Sequence, residues 1–264
     1  MAARLLSTMQ DAVLQLTLSN PGARNALHPD IYVAGIAALK RAAGDPAVRA
    51  IVIAGEGEHF CAGGNLNRLR ENRSRPPEVQ AESIDTLHEW IAAIRDCPKP
   101  VVAAVEGAAA GAGFSLTLAC DLIVAAQNAR FVMSYIRVGL TPDGGASHWL
   151  ATRLPYQLAY EILACGHPVD APRLHALGIV SELTEPGDAL RAALARAHEL
   201  ADGPAFALGR VKSLLSAGER EALSHQLVRE RENFVAALHP DAAGEGIAAF
   251  LEKRVPRYHR GGPR

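Results

Sequence analysis

Two turns rich in small residues are the first places in this sequence where backbone groups could do chemistry. They are Phe60-Cys61-Ala62-Gly63-Gly64-Asn65-Leu66 and Glu106-Gly107-Ala108-Ala109-Ala110-Gly111-Ala112-Gly113-Phe114. Each follows an apolar run, Ala50 to Ala54 and Val101 to Val105, that reads as a buried strand. A strand that passes into a helix through small residues lets a ligand approach the backbone, and the first N–H groups of the helix have no partner within it. Two such donors aimed at one point would stabilise a developing oxyanion, an effect of about 3–4 kcal/mol per donor in acyl chemistry. The same residues also suit plain tight turns in which small side chains permit close packing, so the turns alone leave both readings open.

Other chemistries are excluded by spacing. Gly111-Ala112-Gly113 lacks the third glycine of a dinucleotide fingerprint, and no Gly-Lys-Ser/Thr phosphate loop is present. Ser147 and His148 are neighbours without a Gly-x-Ser-x-Gly elbow, which argues against a serine hydrolase. Cys61, Cys97, Cys120 and Cys165 lie far apart with no Cys-x-x-Cys pair, so they read as reduced thiols and not as a disulfide or metal framework. The net charge is −1, from 27 basic and 28 acidic residues that are scattered along the chain, which predicts no nucleic-acid partner.

The elements that must position the two turns follow from periodicity. Val13-Leu14-Gln15-Leu16-Thr17-Leu18 alternates as a half-buried strand does and ends at Asn20-Pro21-Gly22. From Asp30 to Ala43 the residues Ile31, Ala34, Ala38 and Leu39 keep helical spacing, and Gly44-Asp45-Pro46 stops the helix. The charged stretch from Arg68 to Gln80, with Pro76-Pro77, predicts a mobile loop. Ser83 can then cap a helix striped by Ile84, Leu87, Ile91 and Ile94. Phe114 to Cys120 predicts a helix and Leu122 to Ala126 a strand. Buried strands alternating with helices predict right-handed crossovers and a largely parallel sheet.

Beyond Gly144 the pattern turns helical, with amphipathic runs from Pro186 to Ala201, Pro204 to Leu215 and Glu219 to Leu238, which predicts a helical lobe and no second sheet. Residues 1–200 therefore form the expected α/β core and 201–264 a C-terminal helical region, with Gly261-Gly262-Pro263-Arg264 as a frayed tail. The apolar stretch from Val101 to Ala126 is interrupted by Glu106 and Asp121 and is too short between them to span a membrane. The first ten residues lack a secretory pattern, so the expected location is the cytoplasm.

In order and spacing, six segments resemble the signatures of the enoyl-CoA hydratase/isomerase (crotonase) superfamily. They are Arg24-Asn25-Ala26-Leu27, the turn from Phe60 to Leu66, Lys99 to Gly107, Ala119-Cys120-Asp121, Val138-Gly139-Leu140-Thr141-Pro142-Asp143-Gly144-Gly145, and Ala249-Phe250-Leu251-Glu252-Lys253-Arg254. The resemblance covers nearly the whole chain and is closest in motif to the ring-epoxide isomerase type of phenylacetate breakdown. It implies a crotonase-like spiral of ββα turns with C-terminal helices, and a homotrimer or a dimer of trimers in which residues 201–264 serve trimerisation or act as a lid. It also implies an acyl-CoA substrate and no separate cofactor, because coenzyme A enters as part of that substrate.

By the same resemblance, the Gly64 and Ala112 N–H groups are the oxyanion donors, although the family usually has glycine where Ala112 stands. Arg24 and the backbone of Ala26 and Ala62 resemble elements that bind the substrate's coenzyme A portion, Arg24 being suited to phosphate or adenine contact, and Leu66 is expected against the substrate. Phe250 and Lys253 resemble a pair that covers adenine and phosphate, often from a neighbouring subunit. Their alternative is an exposed helix face with one buried aromatic.

Hydratases of the family use two glutamates, because one group must activate water while another manages its protons. Here Ser115 and Tyr135 stand at those positions and are expected against the substrate instead. Asp143 is the acidic side chain left at a catalytic position of the family. A single carboxylate in an apolar pocket, its pKa raised by burial, can carry a proton from one carbon to another. Its alternative role is to cap a helix starting at Gly144. His88 falls where relatives resembling 4-chlorobenzoyl-CoA dehalogenase keep a histidine base, but on an amphipathic helix it also reads as a surface or boundary residue. The leading expectation is isomerisation of an unsaturated or ring-derived acyl-CoA through Asp143. Hydration or ring hydrolysis, dehalogenation, and coenzyme A binding without catalysis are the alternatives.

Overall fold

The computed structural model describes residues 3–217 and 220–256, with the side chains of 217 and 220–222 left aside. The expected frayed tail from Gly261 and the expected helix start at Glu219 lie outside the described residues.

Strands β1 (Arg4–Gln10) and β2 (Val13–Ser19) form an antiparallel hairpin turned at Asp11, whose φ of 51° is one that a short polar side chain tolerates. Helix α1 (Pro29–Gly44) leads to β3 (Ala50–Gly55), then α2 (Leu66–Asn72), α3 (Pro77–Asp96) and β4 (Val101–Val105). A short strand β5 (Ala108–Ala110) precedes α4 (Ala112–Ala119), followed by β6 (Leu122–Ala126) and β7 (Arg130–Val132). Next come α5 (Ala146–Arg153), α6 (Tyr156–Cys165), β8 (Val169–Asp170), α7 (Ala171–Ala176) and β9 (Glu182–Thr184). Helices α8 (Ala189–Asp202), α9 (Ala205–Ala217), α10 (Arg220–Leu238) and α11 (Asp241–Leu251) complete the chain.

The main sheet runs β1-β2-β3-β4-β6-β9 and is parallel from β2 onward, as the alternation of buried strands and helices predicts. Strands β3 and β4 are apolar along their whole length because both faces are covered. On one face Ala193, Ala197 and Ala201 of α8 lie against Val52, Val102 and Val124, and their small side chains let the helix sit close. On the other, Ile51, Ile53 and Ala103 meet Leu39 of α1 and Trp90 and Ile91 of α3. Gly35 of α1 has a steric reason to be glycine, since a Cβ there would fall 2.3 Å from Trp90 Nε1.

Three expectations are corrected. The stretch from Arg68 to Gln80 is no loop but the join of two helices. Asn65 caps α2 by accepting from Asn67 N at 3.0 Å, and Pro76-Pro77 starts α3, well before Ser83. A proline in the first turn of a helix has no N–H bond to lose, so Pro-Pro reads as a helix start as readily as a loop. Beyond the reading of β2, β1 adds an edge strand to the sheet. Beyond Gly144 the sequence predicts no second sheet, yet a small sheet β5-β7-β8 forms, with β5 in the small-residue turn and β8 in the helical part, and β9 returns to the main sheet. The C-terminal helices are tied to the core by Lys212 of α9, whose buried ammonium reaches Asp121 Oδ2 at 2.7 Å and Ile94 O at 2.8 Å. A buried charge keeps its place only when paired in this way. Among the described residues, no helix is long and apolar enough to cross a membrane.

Candidate active site

The turns after β2, β3 and β4 are laced into one structure by backbone bonds. Arg24 and Asn25 take left-handed φ values of 49° and 57°, and the buried Asn25 amide pins that turn by donating to Glu56 O at 2.9 Å and His59 O at 2.8 Å. Leu27 N donates to Gly63 O (2.8 Å) and Ala62 N to Arg24 O (3.0 Å). Cys61 N donates to Ala108 O (3.0 Å), and Ala110 N returns a bond to Cys61 O (2.8 Å). Gly63, at φ 86°, passes so close to the third turn that a Cβ would lie 2.6 Å from Ala110 O and 3.4 Å from Ala112 N, a path that requires glycine. The next residue, Gly64, and the first residue of α4, Ala112, both line one cavity of about 780 Å³. Among the described residues neither N–H has a hydrogen-bond partner. Two such donors on one cavity can receive an anionic oxygen.

Asp143 lines the same cavity at 6% exposure. Tyr135 donates its hydroxyl to Asp143 Oδ1 at 2.5 Å. Burial pushes the Asp143 carboxyl up to about 6, against the pull of the Tyr135 bond, which lowers it. Burial and the nearby Asp143 charge hold Tyr135 well above its ordinary value, so its hydroxyl stays a donor. Asp143 is therefore an acid–base group poised close to neutrality, with one oxygen held by Tyr135.

Three elements fix the backbone around it. Ser115 of α4 is fully buried, does not line the cavity, and donates to Asp143 O at 2.9 Å. His88 of α3 accepts from Gly144 N at 3.3 Å through Nε2, and burial pushes the ring down to about 4, so it is neutral. Glu230 of α10 accepts from Gly145 N (2.6 Å), Ser147 N (3.0 Å) and Ser147 Oγ (2.5 Å). Burial pushes Glu230 up to about 7, and the Asp143 charge adds to that. Phe234, one helical turn further along α10, meets the Tyr135 ring edge-on with centroids 6.2 Å apart.

These contacts correct two alternatives. Asp143 does not cap α5, which starts at Ala146 and is capped instead by the distant Glu230. His88 is a buried acceptor in the Asp143 turn and no surface residue. Arg24, Ala26, Ala62, Leu66 and Tyr135 all line the cavity, as do Phe250 and Lys253 at the end of α11. Phe250 is 59% exposed, and α11 buries Ala243, Ile247 and Ala249 in its place. The Ala62 N–H is already bonded to Arg24 O, so its carbonyl is the backbone group of Ala62 that accepts no backbone bond among the described residues. Sequence reasoning did not single out Tyr32, Arg68 and Gln80 of the cavity wall, or Glu230 behind it. Arg68 and Gln80 bound the stretch read as a loop. Glu230 lies among the charges of an amphipathic helix, where nothing local distinguishes it.

A family model described as Enoyl-CoA hydratase/isomerase matches residues 8–261. The chain is similar to 2,3-dehydroadipyl-CoA hydratase of Escherichia coli, at 34% identity over 97% of this chain and 98% of that one. It is also similar to 1,2-epoxyphenylacetyl-CoA isomerase of Escherichia coli, at 31% identity over 96% of this chain and 97% of that one. Among solved structures, an enoyl-CoA hydratase from Polaromonas sp. JS666 is 56% identical, with a TM-score of 0.81 over 97% of this chain and all of that chain.

Proposed function

We propose, for a chain that belongs to the enoyl-CoA hydratase/isomerase family, that it isomerises an unsaturated or ring-derived acyl-CoA, with Asp143 moving the proton. The observation that carries this reading is the Asp143 carboxyl itself, which is the only carboxylate among the described residues lining the cavity and is raised by burial toward neutrality. In the proposed reaction the thioester oxygen accepts hydrogen bonds from the Gly64 and Ala112 N–H groups. Asp143 removes a proton from a carbon beside the unsaturation, and the C–H electron pair flows into the thioester as an enolate. As the enolate collapses, the double bond shifts and Asp143 returns the proton at a different carbon. No atom is gained or lost. Tyr135 orients Asp143 through Oδ1 and leaves Oδ2 for the proton.

Hydration needs a second group to share the proton work. Ser115 is engaged with the Asp143 carbonyl, Tyr135 is held protonated, and Glu230 is bound to the α5 backbone, which favours the single-carboxylate reaction. Arg24, Ala26, Ala62, Leu66, Phe250 and Lys253 take the coenzyme A portion along the rest of the cavity. The protein acts as a trimer or dimer of trimers in the cytoplasm, and residues 201–264 contribute to subunit contact or closure.

The test is a panel of crotonyl-CoA, a 3-enoyl-CoA and the ring epoxide of phenylacetyl-CoA, read by absorbance and mass spectrometry with wild-type protein and Asp143→Asn. Products of unchanged mass are expected, with turnover lowered about 10²–10⁴-fold in Asp143→Asn and coenzyme A binding retained. A gain of one water on crotonyl-CoA, or full turnover by Asp143→Asn, overturns the proposal.

A further inference from the structure

The part of the cavity wall built from α1, α2 and the start of α3 holds donors and no carboxylate. Arg68 of α2 donates through Nη1 to Ser83 Oγ at 2.9 Å. Ser83 lies one helical turn beyond Gln80 on α3, and both line the cavity beside Arg68. Gln80 is 4% exposed, and its Oε1 accepts from the buried Asn72 Nδ2 at 2.8 Å, which turns its own amide nitrogen toward the cavity. Tyr32 of α1 is 6% exposed and lines the same space. It lies near enough to both Arg68 and Asp143 to feel their charges. Among the described residues, Tyr32 Oη and Gln80 Nε2 have no hydrogen-bond partner, and Arg68 has no acidic one.

A purely apolar acyl chain would leave these donors dry and unpaired, which is unfavourable for buried polar groups. An acceptor-rich anion satisfies them together, since a guanidinium holds a carboxylate through two parallel N–H bonds while a hydroxyl and an amide N–H take the remaining lone pairs. Leu69, Ile84 and Leu87 supply apolar surface in the same cavity for a connecting chain. We propose that Arg68, Gln80 and Tyr32 form a subsite for a carboxylate at the far end of the acyl group, so that the substrate is the mono-CoA thioester of an unsaturated dicarboxylic acid. This rests on the acyl-CoA reading of the cavity and names the substrate class within it.

The experiment is calorimetric titration of the whole protein with hexanoyl-CoA and with adipyl-CoA, the six-carbon thioester that ends in a carboxylate. Neither is unsaturated, so binding is read apart from turnover. Adipyl-CoA is expected to bind about tenfold or more tighter, because a site built around a polar group discriminates against ligands that lack it. In Arg68→Met that preference falls to near unity, and in Tyr32→Phe, which removes a single hydroxyl, it narrows. Equal affinities in the wild type, or a preference kept by both variants, overturn the subsite. A clear preference for adipyl-CoA in a protein that isomerises neither a member of the substrate panel nor 3,4-dehydroadipyl-CoA, the 3-enoyl thioester that ends in a carboxylate, would overturn the reaction proposed above and leave the subsite standing.

Discussion

Glu230, on the C-terminal helix α10, accepts the Gly145 N–H at 2.6 Å and so grips the turn that carries Asp143 from 85 positions away in the sequence. The same carboxylate takes the N–H and hydroxyl of Ser147, so one side chain satisfies three donors at the start of α5. Removing it with Glu230→Ala strands buried donors, each of which costs about 1–3 kcal/mol and less than additively. The expected result is a loss of roughly 3 kcal/mol of unfolding free energy in a denaturant titration. Turnover is expected to fall by about tenfold or more, because a small misplacement of a reacting group is costly. Glu230→Gln keeps one acceptor oxygen and falls between the two. A variant that loses stability with normal turnover would separate α10 from the alignment of Asp143.

Acid–base balance at Asp143 gives a second prediction. Its carboxyl must be ionised to take a proton, and its pKa is pushed up to about 6, so kcat/KM is expected to rise with pH through about 6 and then level. The Tyr135 hydroxyl lowers that pKa, and removing the donor in Tyr135→Phe therefore shifts the acid limb to higher pH. Rate profiles of the two proteins between pH 4 and 9 check this. An unmoved limb would mean that another group controls the rate.

The strands β3, β4 and β6 are legible in sequence because full burial writes itself as an unbroken apolar run. The small-residue turns are legible for a related reason, since close backbone approach at Gly63 excludes side chains. What escapes is set by distant partners. Nothing local says that Glu230 faces inward on a charged helix, and that depends on how α10 lies against α5 and α3. Pro76-Pro77 suits a loop or a helix start equally, and the packing of Ile84, Leu87 and Ile91 against the core decides for the helix. The donor-rich wall of Arg68 and Gln80 goes unread with it. His88 illustrates the same limit, because an amphipathic stripe does not tell a boundary residue from a buried acceptor one position past Leu87.

His88 carries a stability prediction with a definite sign. Burial pushes its pKa from 6.5 down to about 4, so between those values the unfolded chain binds the proton and the folded one does not. Its contribution to stability is present above the unfolded value and is lost as pH falls from 6.5 through about 4. Asp143 and Glu230, with raised values, act in the opposite direction over pH 4–7, so the comparison must be made against a variant and not on the wild type alone. In His88→Gln, which keeps an acceptor for Gly144 N, the stability advantage of the wild type should shrink by roughly a few kcal/mol on going from pH 7 to pH 4. Denaturant unfolding of both proteins at the two pH values measures it, and a constant difference would mean that His88 takes up its proton as readily in the fold as in the unfolded chain.

Adjacent glycines at the β3 turn should respond in opposite ways to the same substitution. At Gly63, with φ 86°, an added Cβ would sit 2.6 Å from Ala110 O, so Gly63→Ala combines a backbone penalty of about 1–2 kcal/mol with a clash against main chain that cannot move aside. At Gly64 the nearest atom to a Cβ is Leu69 Cδ1 at an ordinary 3.8 Å, so Gly64→Ala should keep the fold and, with its N–H intact, most of its turnover. Gly64→Pro deletes an N–H that bonds to nothing in the described protein, so the fold loses no hydrogen bond while the proposed oxyanion site loses a donor. Turnover is then expected to fall about 10²–10³-fold, the usual effect of removing one oxyanion donor, with coenzyme A binding retained. Thermal unfolding, calorimetric binding and turnover of the three variants separate the two readings of this turn. If it serves packing alone, Gly64→Pro and Gly64→Ala behave alike; if its backbone holds the enolate, only the proline stops the reaction.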